Sequence, residues 1–114
     1  MTAPALKLNF LSHGTLESRD LDRARKFYEE FFGLDVVRTS NTSLLIKLGG
    51  KHTYAVVQNP KKAAMPVLNH NGCDVATEAE VDKCHEIVCE QAEKWGIGKI
   101  TKPVAQHGTY TKSR

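Results

Sequence analysis

No apolar run in these 114 residues approaches the ~20 needed to span a bilayer, and no leader peptide opens the chain. A membrane protein is therefore not expected. Cysteine is scarce: Cys73, Cys84 and Cys89 are odd in number and match neither a zinc spacing nor a CxxC pair. They read as three reduced, mostly buried thiols of a cytoplasmic protein, not as a disulfide framework. Charge is also scant, at a net +3, which argues against nucleic acid or an anionic membrane as partner. Acids are missing from two long stretches. Between Val36 and Cys73 there is neither Asp nor Glu, and after Glu93 there is none, while Lys94, Lys99, Lys102, Lys112 and Arg114 remain. Neither stretch can donate a carboxylate to a site. The rest of the composition, 40% hydrophobic and 25% charged, is ordinary for one globular core.

Residues 7–17 read as a strand, with Leu11, His13 and Thr15 on one face. Asp20 caps a helix whose apolar stripe is Leu21, Ala24, Phe27, Tyr28 and Phe31, and Gly33 stops it. Three strands follow, at 36–39, 44–48 and 54–58, joined by a Ser40-Asn41-Thr42 turn and by Gly49-Gly50. Residues 60–66, with Pro60 and Pro66, form a linker. The pattern then restarts. Residues 68–76 read as a strand, and Thr77 with Glu80 forms a capping box. A helix follows with Val81, Cys84, Val88, Ala92 and Trp95 inward, ended by Gly96. A strand at 100–104 completes the set. Cys84 and Cys89, five apart on that helix, point in different directions.

The two halves repeat more than their elements. Leu11-Ser12-His13 is echoed by Leu68-Asn69-His70, each histidine lies seven positions before its helix cap (13 to 20, 70 to 77), and Phe32-Gly33-Leu34 is echoed by Trp95-Gly96-Ile97. One histidine on a strand is ordinarily a surface or satisfied core residue. Two at equivalent places in a repeat could converge on one metal ion if the halves pair about a pseudo-twofold axis. Imidazole suits Zn, Fe, Mn, Ni or Co alike, and catalytic sites of this kind commonly add a carboxylate and keep positions open for substrate. Asp74 is the one acid that shares a strand face with His70, but four residues along a strand is ~13 Å. His85 reads as a partly exposed helix residue and His52 as a turn residue. His107, in Gln106-His107-Gly108 beyond the last strand, is a candidate for proton handling or substrate contact. The second half also stops short, because 105–114 are too few and too polar to supply counterparts of strands 44–48 and 54–58. An oligomer is expected from the resulting open edges.

Leu11-Ser12-His13-Gly14-Thr15-Leu16, then Arg19-Asp20-Leu21-Asp22-Arg23-Ala24 with Phe27-Tyr28, and Phe32-Gly33-Leu34, resemble the opening of vicinal oxygen chelate proteins. That superfamily includes glyoxalase I, extradiol ring-cleaving dioxygenases and the fosfomycin- and bleomycin-resistance proteins. The resemblance runs through Gly108-Thr109-Tyr110. It implies an α+β glyoxalase-like domain over 1–114: two βαβββ modules in a cupped mixed sheet, module one at 6–59, the linker at 60–66, and module two at 67–114 lacking its last strands. It also implies that His13 and His70 are the metal ligands of the two modules. Glyoxalase I adds a carboxylate on the last strand of module one, and 54–58 has no acid. A site of two histidines and one carboxylate, as in extradiol dioxygenases and metal-dependent fosfomycin-resistance enzymes, matches better. Its glutamate lies on the last strand of module two, and this sequence ends at Arg114 before that strand would begin. His107 sits where extradiol enzymes keep an active-site histidine.

The expectation is a cytoplasmic, metal-dependent enzyme acting on a small oxygen-bearing substrate, with extradiol-type dioxygenation of a catechol as the leading reaction. The cofactor is a divalent metal, Fe(II) first, with Mn(II), Zn(II) or Ni(II) as substitutes. A homodimer, with strand exchange as an option, is the expected assembly; no nucleic acid or membrane partner is. The alternatives are a glyoxalase-like isomerase, a fosfomycin-resistance-like transferase, or a non-catalytic, bleomycin-resistance-like binding protein.

Overall fold

The computed structural model describes residues 5–47, 49–65, 71–105 and 112–113. It divides into two compact units, Met1–Ala64 and Met65–Arg114. The first holds β1 (His13–Ser18), α1 (Leu21–Lys26), a π-helical turn (Phe27–Phe31), β2 (Asp35–Ser40), β3 (Ser43–Lys47) and β4 (Thr53–Gln58). The strands form one mixed sheet in the order β1-β4-β3-β2, in which β1 runs parallel to β4 and the β2–β3–β4 meander is antiparallel. This is the expected βαβββ unit, and the fold is α+β.

Alternation along the strands selects one buried face. Leu44 and Ile46 lie two apart on β3, opposite Val56 of β4 and Val36 of β2 respectively, and all four are buried. Leu21 and Ala24 of α1 close over them, with Leu16, Tyr28 and Tyr54 at the margin. Fully burying each large aliphatic side chain contributes about 1.5–3 kcal/mol, so this small cluster anchors the unit. Asp20 caps α1 by accepting a bond from the Arg23 N–H at 3.1 Å, and Gly33 supplies the left-handed turn, at φ 69°, that sends the chain into β2.

Two details depart from the pattern. The single helix expected over 21–31 widens at Phe27, and the Phe32 N–H bonds to the Phe27 carbonyl at 3.3 Å. Widening brings residues five apart onto one side, so Phe27 meets Phe32 (centroids 5.2 Å) as well as Phe31 (5.4 Å). The first strand is also shorter than expected: residues 7–12 precede β1 and are not part of it.

The second unit contains α2 (Glu78–Trp95) and a two-residue antiparallel ladder, β5 (Val104–Ala105) with β6 (Lys112–Ser113). Thr77 caps α2 by accepting from the Glu80 N–H at 3.2 Å. Gly96, at φ 68°, ends it, with the Ile97 N–H reaching back to the Ala92 carbonyl. The flanking strands differ from expectation. Residues 71–76 are in no strand, consistent with the turn-forming Asn71-Gly72 pair, and 67–70 lie outside the described residues. The strand expected at 100–104 begins only at Val104, because Pro103 has no N–H to give a ladder. The inward stripe of α2 is also shifted. Val81, His85, Val88, Ala92 and Trp95 are half-buried whereas Cys84 is exposed, and no residue of α2 is fully buried. All three cysteines are free and exposed, so the expectation of mostly buried thiols is wrong.

Candidate functional site

Because β1 alternates, the face opposite the core carries His13, Thr15 and Glu17, all exposed. Register extends that face across the sheet: His13 pairs with Thr53, Thr53 with Lys47, and Lys47 with Asp35. One polar row therefore crosses one end of the open face. The next row is Thr15, Ala55, Leu45 and Val37, and beyond it lie Glu17, Val57 and Ser43. With strands about 4.8 Å apart, Lys47 stands about 10 Å from His13. The open face is thus apolar in its middle, with Val37 and Val57 exposed, and polar along the His13 end. A shallow depression of about 400 Å³, lined by Gly33, Leu34, Asp35, Lys47, Gly49 and Gly50, adjoins the Asp35 end of that row.

His13 has one partner among the described residues, the Ser12 hydroxyl, whose Oγ lies 2.8 Å from Nδ1. In the tautomer where Nδ1–H donates to Ser12, the Nε2 lone pair is open. A metal-ligating histidine needs that arrangement, one ring nitrogen held by an outer partner and the other free. Glu17, four residues along the same face, is engaged by the Asn59 side-chain amide. It lies ~13 Å from His13 along the strand, so it is not a co-ligand. Strand β4 carries no acid, as read from the sequence.

His70 and His107 lie outside the described residues. Asp74 is described, but 71–76 is not extended strand, so strand alternation gives it no claim on the His70 face. Among the described residues no three His, Cys, Asp or Glu side chains are grouped to hold a metal ion. His52 sits in the turn before β4, as expected, its ring edge-on to Phe10 at 5.2 Å. Lys47 and Thr53, which share the polar row with His13, were not singled out by sequence reasoning. The cue was pairing register, which three separate strands must fold to reveal. No described helix is long and apolar enough to cross a membrane.

No family model and no curated protein sequence matches the chain. Solved structures do. A Bacillus cereus protein described as a possible glyoxalase is 25% identical, with a TM-score of 0.68 over 90% of this chain and 86% of that one. The fosfomycin resistance protein FosX from Mesorhizobium loti is also 25% identical, with a TM-score of 0.63 over 89% of this chain and 78% of its own. A glyoxalase/bleomycin resistance protein/dioxygenase from Nocardioides, at 15% identity and a TM-score of 0.60 over 90% and 72%, shares the fold. The chain has the fold of the vicinal oxygen chelate superfamily.

Proposed function

We propose that this protein is a metal-dependent vicinal oxygen chelate enzyme whose substrate is a small molecule bearing adjacent oxygens. The observation that carries the reading is His13, exposed on the open sheet face with Nδ1 2.8 Å from the Ser12 hydroxyl and no other partner among the described residues. His13 and His70 would hold a divalent metal, Fe(II) first among candidates, and His107 would move a proton at the substrate. When bound, such a metal supplies charge stabilisation for oxygens that become negative during reaction. The chain's own contribution is orientation: the apolar strip Ala55, Leu45 and Val37 would seat the substrate's carbon body. Its oxygens would then lie toward His13, with the Lys47 ammonium further along the row attracting negative charge. The protein would act in the cytoplasm as a homodimer, with strand exchange as one route to it.

Two reaction classes suit a first module whose last strand carries no acid. Extradiol cleavage of a catechol is one. Fosfomycin-resistance-like chemistry is the other, and the 25% identity to FosX favours it as a second reading. The experiment is anaerobic reconstitution with Fe(II) or Mn(II), followed by oxygen uptake with catechols and, separately, loss of fosfomycin. Metal retention that falls in both His13→Ala and His70→Ala supports the reading. Retention unchanged in both would refute it, and oxygen uptake or its absence then separates the reaction classes.

A further inference from the structure

The second unit carries a pair of ligating side chains of its own. On α2, His85 Nε2 lies 3.6 Å from Cys89 Sγ, one helical turn along. Cys89 is exposed and His85 half-buried, so the ring is steadied by the helix surface while the sulfur faces solvent. Cys84, though adjacent to His85 in sequence, projects elsewhere.

We propose that His85 and Cys89 form a two-point site for a borderline-soft divalent cation of the zinc class. The separation is the argument. Bonds of about 2.3 Å to sulfur and about 2.05 Å to nitrogen, meeting at a tetrahedral angle, place the two donors about 3.55 Å apart. The observed 3.6 Å is close to one edge of a zinc tetrahedron. Thiolate and imidazole are the donors that such ions prefer over the hard oxygen-seeking cations. Charge agrees: Asp82 three residues before His85, and Glu93 four after Cys89, follow the same helical face, and Glu86 lies between them. On binding, the Cys89 thiol loses its proton to solvent and its sulfur bonds the metal, while His85 binds through the Nε2 lone pair. Among the described residues no third such side chain groups with the pair, so the remaining positions would fall to water. The site is an open clip, made of residues other than those proposed to hold metal with His13.

Cadmium titration of the full, reduced chain tests this, read by the ultraviolet thiolate-to-metal charge-transfer band. The band should appear with a single equivalent and vanish in Cys89→Ser. In His85→Ala and in the size-conserving His85→Gln, apparent affinity should fall by at least the roughly 10–100-fold that loss of a supporting partner costs a metal site. Cys73→Ser, Cys84→Ser and His13→Ala should leave band and affinity unchanged, the last separating this site from the proposed catalytic metal. A band that survives in Cys89→Ser, one lost equally in Cys84→Ser, one indifferent to both His85 variants, or none at all would overturn the proposal.

Discussion

Replacing Gly14 with alanine tests how the sheet holds its candidate ligand. Gly14 follows His13 on β1 and pairs across the parallel ladder with Tyr54 of β4. A Cβ at Gly14 would lie 2.9 Å from Tyr54 Cδ1 and closer still to Cε1, well inside van der Waals contact. The Tyr54 ring packs against the buried cluster, so it cannot simply swing away. Forcing an extra methyl into such a contact costs typically about 1–3 kcal/mol. Against that, replacing a strand-interior glycine recovers about 0.5–1 kcal/mol of chain entropy. Subtracting one from the other leaves a net effect between about zero and about 2.5 kcal/mol of destabilisation. The double-mutant cycle sharpens it. With the ring removed in Tyr54→Ala, Gly14→Ala should become neutral or stabilising, giving a coupling of about 1 kcal/mol or more. Urea unfolding followed by far-ultraviolet circular dichroism measures all four corners through shifts in midpoint at constant m. Equal effects of Gly14→Ala in both backgrounds would refute the reasoning, as would stabilisation in the parent chain.

Other outcomes follow from burial and capping. Ile46→Ala removes a fully buried side chain from the centre of the cluster and should cost about 2–5 kcal/mol in urea unfolding; a loss under half a kilocalorie would mean the cluster is not the core. Asp20→Ala and Thr77→Ala each delete a helix N-cap bond and should cost about 0.5–2 kcal/mol, with Asp20→Ser and Thr77→Ser recovering most of it. Under native conditions a water-soluble maleimide should label Cys73, Cys84 and Cys89 to completion, as counted by intact mass. Protection of any of them until denaturant is added would contradict the exposure described for α2 and the segment before it.

Much of the first unit was legible because its signals are local. Asp20 as cap, Gly33 as a left-handed stop, Gly49-Gly50 as a turn, and the alternation of Leu44 and Ile46 depend on residues within a few positions of one another. Strands of the second unit were misjudged where a breaker outweighed a pattern. Pro103 delayed one strand, and Asn71-Gly72 interrupted the segment read as another. The candidate site was legible only in part. His13 was marked by its motif, and its Ser12 partner is its sequence neighbour. Cys84 was read as inward and is exposed, because helix phase sets a stripe only to within about one position, whereas His85 is the partly exposed helix residue it was expected to be.

By itself the sequence determined where the helices of both units start and stop and where the first unit turns, since capping, left-handed glycine and alternation are short-range physics. Tertiary structure alone decided that the His13 face is the open one, because that depends on which side α1 covers. It also aligned Thr53, Lys47 and Asp35 in the row of His13, since register is a property of paired strands.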